Sequence, residues 1–213
     1  MILASLRIMR KRKRCLAGLV EMRALFLDRD GVINVDHGHV GTRARFEFSH
    51  GVFDMARVAV SLSYGLFIIT NQAGIARGLY SEEDFQKLMG WVGREFKKYG
   101  APIIKVYHCP HHPDYPMSDA AIGCDCRKPA PGLLLRAARE FEIDMDASIM
   151  VGDKESDMLA GLAAGVGSLV LMGTGPIDVR WHCAASMEEL SGLLSMMGGT
   201  GWVGTPMTQR GET

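Results

Sequence analysis

Residues 23–31 read Arg-Ala-Leu-Phe-Leu-Asp-Arg-Asp-Gly, an apolar run that ends directly on two carboxylates. A short apolar run bounded by glycine is typical of a strand that is buried on both faces of a parallel sheet. Ligands of such sheets bind at the carboxyl ends of the strands, which is where Asp28 and Asp30 would lie. Two crowded carboxylates repel each other unless a hard cation such as Mg²⁺ is present. Taken alone, the stretch fits a magnesium site or an ordinary capped turn equally well.

Further apolar runs alternate with amphipathic segments along the rest of the chain. After the first strand, we predict strands at residues 66–70, 103–108, 148–153 and 167–172. The predicted helices cover residues 51–64, 81–99, 131–141, 156–164 and 187–197. Alternation of strands and helices predicts right-handed crossovers, and therefore an α/β fold with a doubly wound, mostly parallel sheet.

Composition limits the classes of protein to which this chain can belong. It has 213 residues, 47% of them hydrophobic and 23% charged, with a formal net charge of zero. These values suit one soluble domain with a full core. Zero net charge gives no support for binding to nucleic acid or to a membrane surface, and no apolar run in the sequence is long enough to cross a bilayer. We expect a monomer in the cytoplasm.

The two ends of the chain differ from the middle. Residues 10–14 form a basic run behind a weakly apolar start, which is the reverse of the order in a signal peptide. We expect residues 1–21 to be a disordered leader or upstream sequence before a start at Met22; the alternative is an arm that binds nucleic acid or anionic lipid. Residues 198–213 predict a disordered tail. Residues 22–197 then form the domain.

A polar, glycine-containing loop follows the first predicted strand. Its candidate substrate-binding residues are Asp36, His37, Gly38 and His39. The position of the loop at a strand end favours a role in substrate binding, and the alternative is a plain surface loop.

The second predicted strand ends on Thr70, which is followed by Asn71, Gln72 and Ala73 in a glycine-containing turn. A threonine hydroxyl followed by exposed backbone N–H groups forms a nest for anions. The alternative, an ordinary turn, is weakened because this is the second polar strand end in succession.

A cluster of metal-ligand residues follows the third predicted strand. The pattern C-x-H, a loop, then C-x-C places Cys109, His111, Cys124 and Cys126 as four ligands of a closed, structural zinc site. The alternative is a redox-sensitive loop with free thiols, but the spacing favours zinc. We expect His112 to meet solvent, Cys183 to be a small core residue and Cys15 to lie in the leader.

Arg127 and Lys128 come directly after the last of these cysteines and before a helix. A metal-bound Cys126 would hold both cations near the strand ends, where they would bind phosphate. A solvated surface pair is the usual alternative.

Four candidate residues now follow one another in the chain. The first two are Asp28, in an Asp-x-Asp strand end, and Thr70, at the next strand end. They are followed by Lys128, before a helix, and by Asp153, at a later strand end. This order resembles the haloacid dehalogenase (HAD) superfamily of Mg²⁺-dependent phosphotransferases. The motifs at residues 28–31, 36–38, 70–78, 109–113, 124–129 and 151–154 resemble more closely the family of D-glycero-D-manno-heptose 1,7-bisphosphate 7-phosphatases. The resemblance covers residues 24–174.

The resemblance implies removal of the 7-phosphate through an aspartyl-phosphate, in the synthesis of the ADP- or GDP-heptose precursors of lipopolysaccharide. Asp28 would be the nucleophile, and Asp30 would be the general acid and then the general base. Thr70, the amides that follow it and Lys128 would stabilise the phosphoryl oxygens. Mg²⁺ would be bound by Asp28, by the backbone carbonyl of Asp30 and by Asp153.

The resemblance also implies contacts with the rest of the substrate, a small sugar bisphosphate. Arg127, Lys154 and the loop at residues 36–39 would contact the sugar and its remaining phosphate. Asp157 would orient the magnesium shell or would be a plain helix acid. The intervals between the motifs leave no room for the cap domain of other superfamily members, so we expect an open site.

Three other functions stay open. A histidinol-phosphate phosphatase shares the Asp-x-Asp core and a similar zinc loop, although residues 36–38 and 75–78 fit the heptose family better. A zinc-stabilised binding protein without catalysis is a second alternative. A nucleic-acid end phosphatase guided by the basic leader is a third, which zero net charge argues against.

Overall fold

The structure of the protein is a computed structural model that describes residues 21–115, 123–173 and 178–198. The predictions for residues 1–20 and 199–213 lie outside these ranges. None of the helices in the described residues has the length and the apolar character that a membrane span requires.

The described residues form one six-stranded sheet in which every neighbouring pair is parallel. The strands are β1 (Arg23–Leu27), β2 (Tyr64–Asn71), β3 (Ile103–Cys109), β4 (Ile149–Gly152), β5 (Ser168–Met172) and β6 (His182–Ala184), in the order β3-β2-β1-β4-β5-β6. The predicted doubly wound α/β fold is confirmed. The sequence did not reveal β6, because three residues without an apolar run carry no strand pattern.

Five helices connect or follow these strands. They are α1 (Val52–Ser61), α2 (Glu82–Lys98), α3 (Gly132–Phe141), α4 (Glu155–Ala164) and α5 (Met187–Gly198). Shorter elements are a helical turn at Ala73–Ala76 and 3₁₀ turns at Arg43–Arg45 and Met145–Ala147. α1 ends earlier than its pattern predicted, because Ser63 takes a positive φ of 64° and Tyr64 already belongs to β2.

The helices cover both faces of the sheet. Successive residues of a strand point to opposite faces, so Leu25 and Leu27 pack on one side and Ala24 and Phe26 on the other. Residues of α1, α2 and α5 belong to the first core, and residues of α3 and α4 belong to the second. This double burial explains why the strands read as continuous apolar runs.

The strand order places a crevice between β1 and β4. The chain winds outward from β1 in one direction through β2 and β3, and in the other through β4, β5 and β6. Leu27 pairs with Val151, and the N–H of Asp28 donates to the Val151 carbonyl at 2.9 Å. Residues that follow these two strands therefore meet at the topological switch point, where ligands of such sheets bind.

The connections over this edge are short within the described residues. The chain passes from β1 to β2 through a 3₁₀ turn and α1, and from β2 to β3 through a helical turn and α2. Neither connection contains an inserted domain. This part of the structure agrees with the prediction of a site without a cap.

Helix α2 begins with a capping box, which allows a test of local stability. The Ser81 hydroxyl accepts a hydrogen bond from the N–H of Asp84 at 3.1 Å, and the N–H of Ser81 donates to Asp84 Oδ2 at 3.0 Å. We expect Ser81→Ala to lower the free energy of unfolding by about 1 kcal/mol in urea denaturation. Ser195→Ala, at an exposed serine of α5, is the control and should change it by less than about 0.5 kcal/mol. Equal losses would contradict a specific capping role.

Candidate active site

Three carboxylates meet around one lysine at the switch point. Asp28 follows β1, Asp153 follows β4 and Asp157 lies in the first turn of α4, and one oxygen of each lies within 4.8 Å of the others. The Lys128 ammonium lies 2.8 Å from Asp28 Oδ1 and 2.6 Å from Asp157 Oδ1. It also donates to the Ile69 carbonyl at 2.8 Å. All three N–H groups of Lys128 therefore have an acceptor.

Burial and charge set the protonation of this group. Burial alone would lower the pKa of Lys128, but the neighbouring Asp28 and Asp157 carboxylates outweigh it and raise that pKa. Burial raises the pKa of Asp28, and Lys128 offsets part of the increase. Lys128 is therefore a permanent cation at neutral pH, in contact with the buried carboxylate that the sequence predicted as the nucleophile.

Asp153 is less compensated than Asp28, because its cationic neighbour is the half-exposed Lys154, whose ammonium lies 3.5 Å from Asp153 Oδ2. Burial and the charge of Asp28 raise the pKa of Asp153 to about 6. Its Oδ1 atom is buried and has no hydrogen-bond partner among the described residues. Gly31 allows the approach, because a Cβ at that position would lie 2.3 Å from Asp153 Oδ2, and its φ of +83° also favours glycine. A carboxylate oxygen without a partner beside a second carboxylate fits a hard divalent cation.

Asp157 contributes differently from the other two carboxylates. Its Oδ1 contacts Lys128, and its Oδ2 accepts the N–H of Lys154 at 3.1 Å. Both oxygens therefore have protein donors, and the side chain is 1% exposed. In this arrangement Asp157 anchors Lys128 and caps α4.

Asp30 lies in a dense hydrogen-bond network. Arg29 Nη2 lies 2.7 Å from both Asp30 oxygens, and Asn34 Nδ2 donates to Oδ1 at 3.0 Å. Gln72 Nε2 donates to Oδ2 at 3.1 Å. Arg29 is fully buried and also donates to the Val40 carbonyl, so it connects Asp30 to the end of the neighbouring loop.

The residues at the end of β2 and directly after it mainly hold the site together with their side chains. Thr70 is 1% exposed, and its hydroxyl oxygen accepts from Gln72 Nε2 at 2.8 Å. The Asn71 amide makes two hydrogen bonds to the backbone of Lys128, at 3.0 and 3.1 Å. Ala73 begins the helical turn, whose first N–H groups have no partner within the turn. These amides are therefore the candidate anion donors that the sequence predicted.

The loop at residues 36–39 lies at the edge of the site and is exposed. The N–H of Gly38 donates to Asp36 Oδ1 at 3.0 Å, and His37 lies 3.0 Å from Glu47. Gly38 and His39 both have a positive φ, 70° and 47°. Lys154 joins the loop to the carboxylates, because its ammonium lies 3.4 Å from Asp36 and 3.5 Å from Asp153.

The four predicted zinc ligands come together at the end of β3. The ligand atoms of Cys109, His111, Cys124 and Cys126 all lie within 4.8 Å of one another. Cys109 Sγ lies 3.7 Å from both Cys124 Sγ and His111 Nδ1. Tetrahedral zinc with Zn–S bonds of about 2.3 Å places sulfur atoms about 3.7 Å apart. Cys126 Sγ lies closer, 3.0 Å from Cys109 Sγ, and would move outward by less than about 1 Å on binding zinc. The donor set and the other separations fit a closed four-ligand metal site.

The thiols of this cluster differ in acidity. Burial opposes ionisation of Cys124, but hydrogen bonds from Cys126 and His111 outweigh it and lower its pKa to about 7. Burial raises the pKa of Cys109, so the metal-free cluster favours a mixture of thiol and thiolate. Cys183 is exposed on β6, so the prediction that it is a core residue was wrong.

Two side chains beside the cysteine–histidine cluster are less exposed to solvent than their simplest interpretations suggest. The side chain of His112 is 13% exposed and contacts Arg77 at 3.2 Å and the ring of Tyr115, so the prediction that it meets solvent was largely wrong. Arg127 is half-buried and donates to the His111 carbonyl at 3.1 Å. The loop that contains the cysteine–histidine cluster is therefore directly connected to Arg127, one of the two cations that were predicted to bind phosphate.

Comparisons with known proteins agree with this geometry. A family model described as HAD-hydrolase-like matches residues 125–186. D-glycero-beta-D-manno-heptose-1,7-bisphosphate 7-phosphatase of Yersinia pestis is 47% identical over 163 residues, which cover 76% of this chain and 87% of the relative. The chain belongs to the heptose-1,7-bisphosphate 7-phosphatase family of HAD-like hydrolases.

Other members of the heptose-bisphosphate phosphatase family support the assignment. D-glycero-alpha-D-manno-heptose-1,7-bisphosphate 7-phosphatase of Burkholderia mallei is 49% identical over 150 residues, covering 70% of this chain and 79% of the relative. The crystal structure of D,D-heptose 1,7-bisphosphate phosphatase from B. bronchiseptica, complexed with magnesium and phosphate, has a TM-score of 0.71 and 25% identity. It covers 82% of this chain and 99% of that chain.

Sequence reasoning missed several residues that hold this family's site together. Arg29, Asn34 and Tyr80 were not singled out, yet Arg29 and Asn34 contact Asp30 and the Tyr80 hydroxyl donates to Gln72 at 2.7 Å. Arg29 could have been found from the sequence, because it is a charged residue inside a motif that must be buried. The contact of Tyr80 depends on tertiary packing and had no local signal.

The raised pKa of Asp153 leads to a test of stability. Because it is about 6 in the folded protein against an ordinary value of 3.8, the metal-free fold loses stability as pH rises through this interval, and the loss is complete above about pH 6. We expect Asp153→Asn to raise the free energy of unfolding in EDTA by about 1–3 kcal/mol at pH 8 and by little at pH 4. Denaturant titrations at the two pH values measure this. An equal change at both would show that packing, and not charge, is responsible.

Proposed function

We propose that the protein removes the 7-phosphate of D-glycero-D-manno-heptose 1,7-bisphosphate through an aspartyl-phosphate on Asp28. The observation that carries this proposal is the buried Asp28–Lys128 contact at the switch point, 2.8 Å long, beside Asp153 and two residues from Asp30. Relatives with 47% and 49% identity carry the corresponding enzyme name.

Asp28 would attack phosphorus with its carboxylate oxygen, and the bond from phosphorus to the sugar oxygen would break. Covalent catalysis replaces one difficult displacement by two easier ones. Lys128, the Thr70 hydroxyl and the first amides of the turn at Ala73–Ala76 would bind the equatorial phosphoryl oxygens. Support for this comes from their position, since Asn71 connects the end of β2 directly to the backbone of Lys128.

Asp30 would give a proton to the departing sugar oxygen and would then take one from the water that hydrolyses the aspartyl-phosphate. Its carboxyl group lies beyond Asp28 on the same turn and is 16% exposed, so it is accessible from the open side. Arg29, Asn34 and Gln72 fix its orientation.

Asp28, Asp153 and the backbone carbonyl of Asp30 would bind Mg²⁺. The partnerless oxygen of Asp153 is the structural feature that fits such an ion. When bound there, Mg²⁺ would reduce the repulsion between the phosphate and the carboxylate nucleophile. A related solved structure contains magnesium and phosphate.

Arg127, Lys154 and the loop at residues 36–39 would contact the sugar and its 1-phosphate. Lys154 contacts both the loop and Asp153, and Arg127 is held by the metal loop. Arg and Lys at such positions recognise phosphate as a fork and as a point charge, respectively. The relatives are named for opposite anomers, so we assign none.

The cysteine–histidine cluster would bind structural Zn²⁺. Three cysteines and one histidine complete a tetrahedral shell without an open position. Its effect on the reaction would be indirect, through Arg127 and Lys128, which follow Cys126 in the chain. Reduced thiols at such a cluster suit a cytoplasmic location.

The first test is phosphate release in the presence of Mg²⁺ from heptose 1,7-bisphosphate and, separately, from histidinol phosphate. We expect a clear preference for the bisphosphate, and Asp28→Asn should lower kcat by on the order of 10³-fold or more because the nucleophile is lost. Asp146→Asn, at an exposed aspartate before β4, is the control and should retain activity. Preference for histidinol phosphate would keep the chemistry and overturn the substrate assignment.

The second test concerns the metal loop. We expect the purified wild type to contain about one zinc per chain by elemental analysis, and Cys126→Ser to lose most of it together with thermal stability. Cys183→Ser removes an exposed thiol outside the cluster and should leave both unchanged. A wild type without zinc, or a Cys126→Ser variant that keeps it, would contradict the proposed site.

A further inference from the structure

Tyr80 occupies a slot that two glycines make for its ring. A Cβ at Gly41 would lie 2.2 Å from Tyr80 Cδ1, and a Cβ at Gly74 would lie 2.3 Å from Tyr80 Cε1. Neither glycine has a positive φ, so close approach to the ring, and not backbone conformation, explains the absence of a side chain at both positions. Gly41 ends the predicted substrate loop, and Gly74 lies in the turn after β2.

The slot directs the Tyr80 hydroxyl into the site. The hydroxyl donates to Gln72 Oε1 at 2.7 Å. Burial raises the pKa of Tyr80 above its ordinary value, so the phenol keeps its proton at neutral pH and acts as a donor. A donor at this position can bond only the oxygen of the Gln72 amide, so the nitrogen of that amide must face the opposite side.

The opposite side of the Gln72 amide contains two residues of the proposed reaction. Gln72 Nε2 donates to Thr70 Oγ1 at 2.8 Å and to Asp30 Oδ2 at 3.1 Å. Because the Thr70 oxygen accepts this bond, the hydroxyl proton of Thr70 stays available for a phosphoryl oxygen. The Gln72 side chain is 1% exposed, so water does not offer it alternative partners.

We propose that Tyr80 and Gln72 are a pair of positioning residues, in which the Tyr80 hydroxyl fixes the Gln72 amide so that one nitrogen orients both Asp30 and Thr70. This rests on the proposed function, in which Asp30 protonates the leaving oxygen and Thr70 binds the phosphoryl group. Without the hydroxyl, the amide can rotate and present its oxygen to Asp30, which removes one of the bonds that hold the carboxyl group in place.

The test compares Tyr80→Phe, which removes only the hydroxyl, with Tyr107→Phe. Tyr107 is another buried tyrosine, on β3, and its hydroxyl donates to Glu140 at 2.6 Å, outside the site. We expect Tyr80→Phe to lower kcat for the sugar bisphosphate roughly five- to tenfold, with a smaller change in KM. Tyr107→Phe should change neither constant, and thermal unfolding should show that both variants are folded.

A second measurement separates positioning of the acid from general damage to the structure. Transfer of phosphate to Asp28 from p-nitrophenyl phosphate needs no protonation of the leaving group, whereas transfer from a sugar phosphate does. In single-turnover experiments with excess enzyme, Tyr80→Phe should therefore slow transfer from the sugar phosphate more than transfer from p-nitrophenyl phosphate. Equal slowing of both would overturn the proposal.

A double-mutant cycle tests whether Tyr80 acts through Gln72. Gln72→Ala removes the amide, so adding Tyr80→Phe to Gln72→Ala should cause no further loss of kcat. Additive losses, or a Tyr80→Phe variant with wild-type kcat, would overturn the proposal and leave the proposed function intact. A wild type that releases no phosphate from either substrate would instead overturn the proposed function, and this inference with it.

Discussion

The balance of charge around Lys128 is the constraint on which the site depends. Asp28, Asp153 and Asp157 follow or cap elements that meet at one edge of the sheet, and each would repel the others if all were ionised without a cation. Lys128 neutralises part of this charge through its contacts with Asp28 and Asp157. Lys154 offsets part of the charge on Asp153, and the buried Oδ1 atom of Asp153, which has no hydrogen-bond partner among the described residues, is where a further cation fits. The fold therefore provides, at Asp28, a carboxylate that is buried and also partly compensated, as the proposed role of nucleophile requires.

Lys128 can balance this charge only because two neighbouring elements hold it in position. Asn71, at the end of β2, bonds its backbone, and the Ile69 carbonyl accepts from its ammonium. On the other side it follows the cysteine–histidine cluster, which joins the end of β2 through a bond from the N–H of Gln72 to the Cys109 carbonyl, 2.7 Å long. A metal ion bound by this cluster would restrict the motion of a lysine whose side chain is otherwise flexible.

Much of the sheet and of the candidate site was predictable from the sequence, because these features leave patterns in residues that are neighbours in the chain. Apolar runs that end on Asp28, Thr70 and Asp153 reveal both a parallel sheet and the edge at which ligands bind, because strand burial and strand ends leave patterns in neighbouring residues. The clustering of Cys109, His111, Cys124 and Cys126 was predictable from their spacing for the same reason. β6 was not predicted because its three residues carry no strand pattern. The contacts of His112 with Arg77 and of the Tyr80 ring with Gly41 were not predicted because they depend on tertiary packing. The contact of Asp157 with Lys128 was not predicted either, because an acidic residue in the first turn of a helix carries no sequence pattern that indicates burial.

The slot around Tyr80 has a consequence for how the family can vary. Gly41 and Gly74 lie on opposite sides of one ring, and neither can gain a side chain while the ring is in place. A larger residue at either glycine becomes tolerable only when position 80 becomes smaller, so substitutions at these three positions are expected to depend on one another. We expect a side chain added at Gly41 or Gly74 alone to displace the ring of Tyr80. Gly41 is therefore expected to vary together with Gly74 and Tyr80, although it is more than 30 residues away from them along the chain.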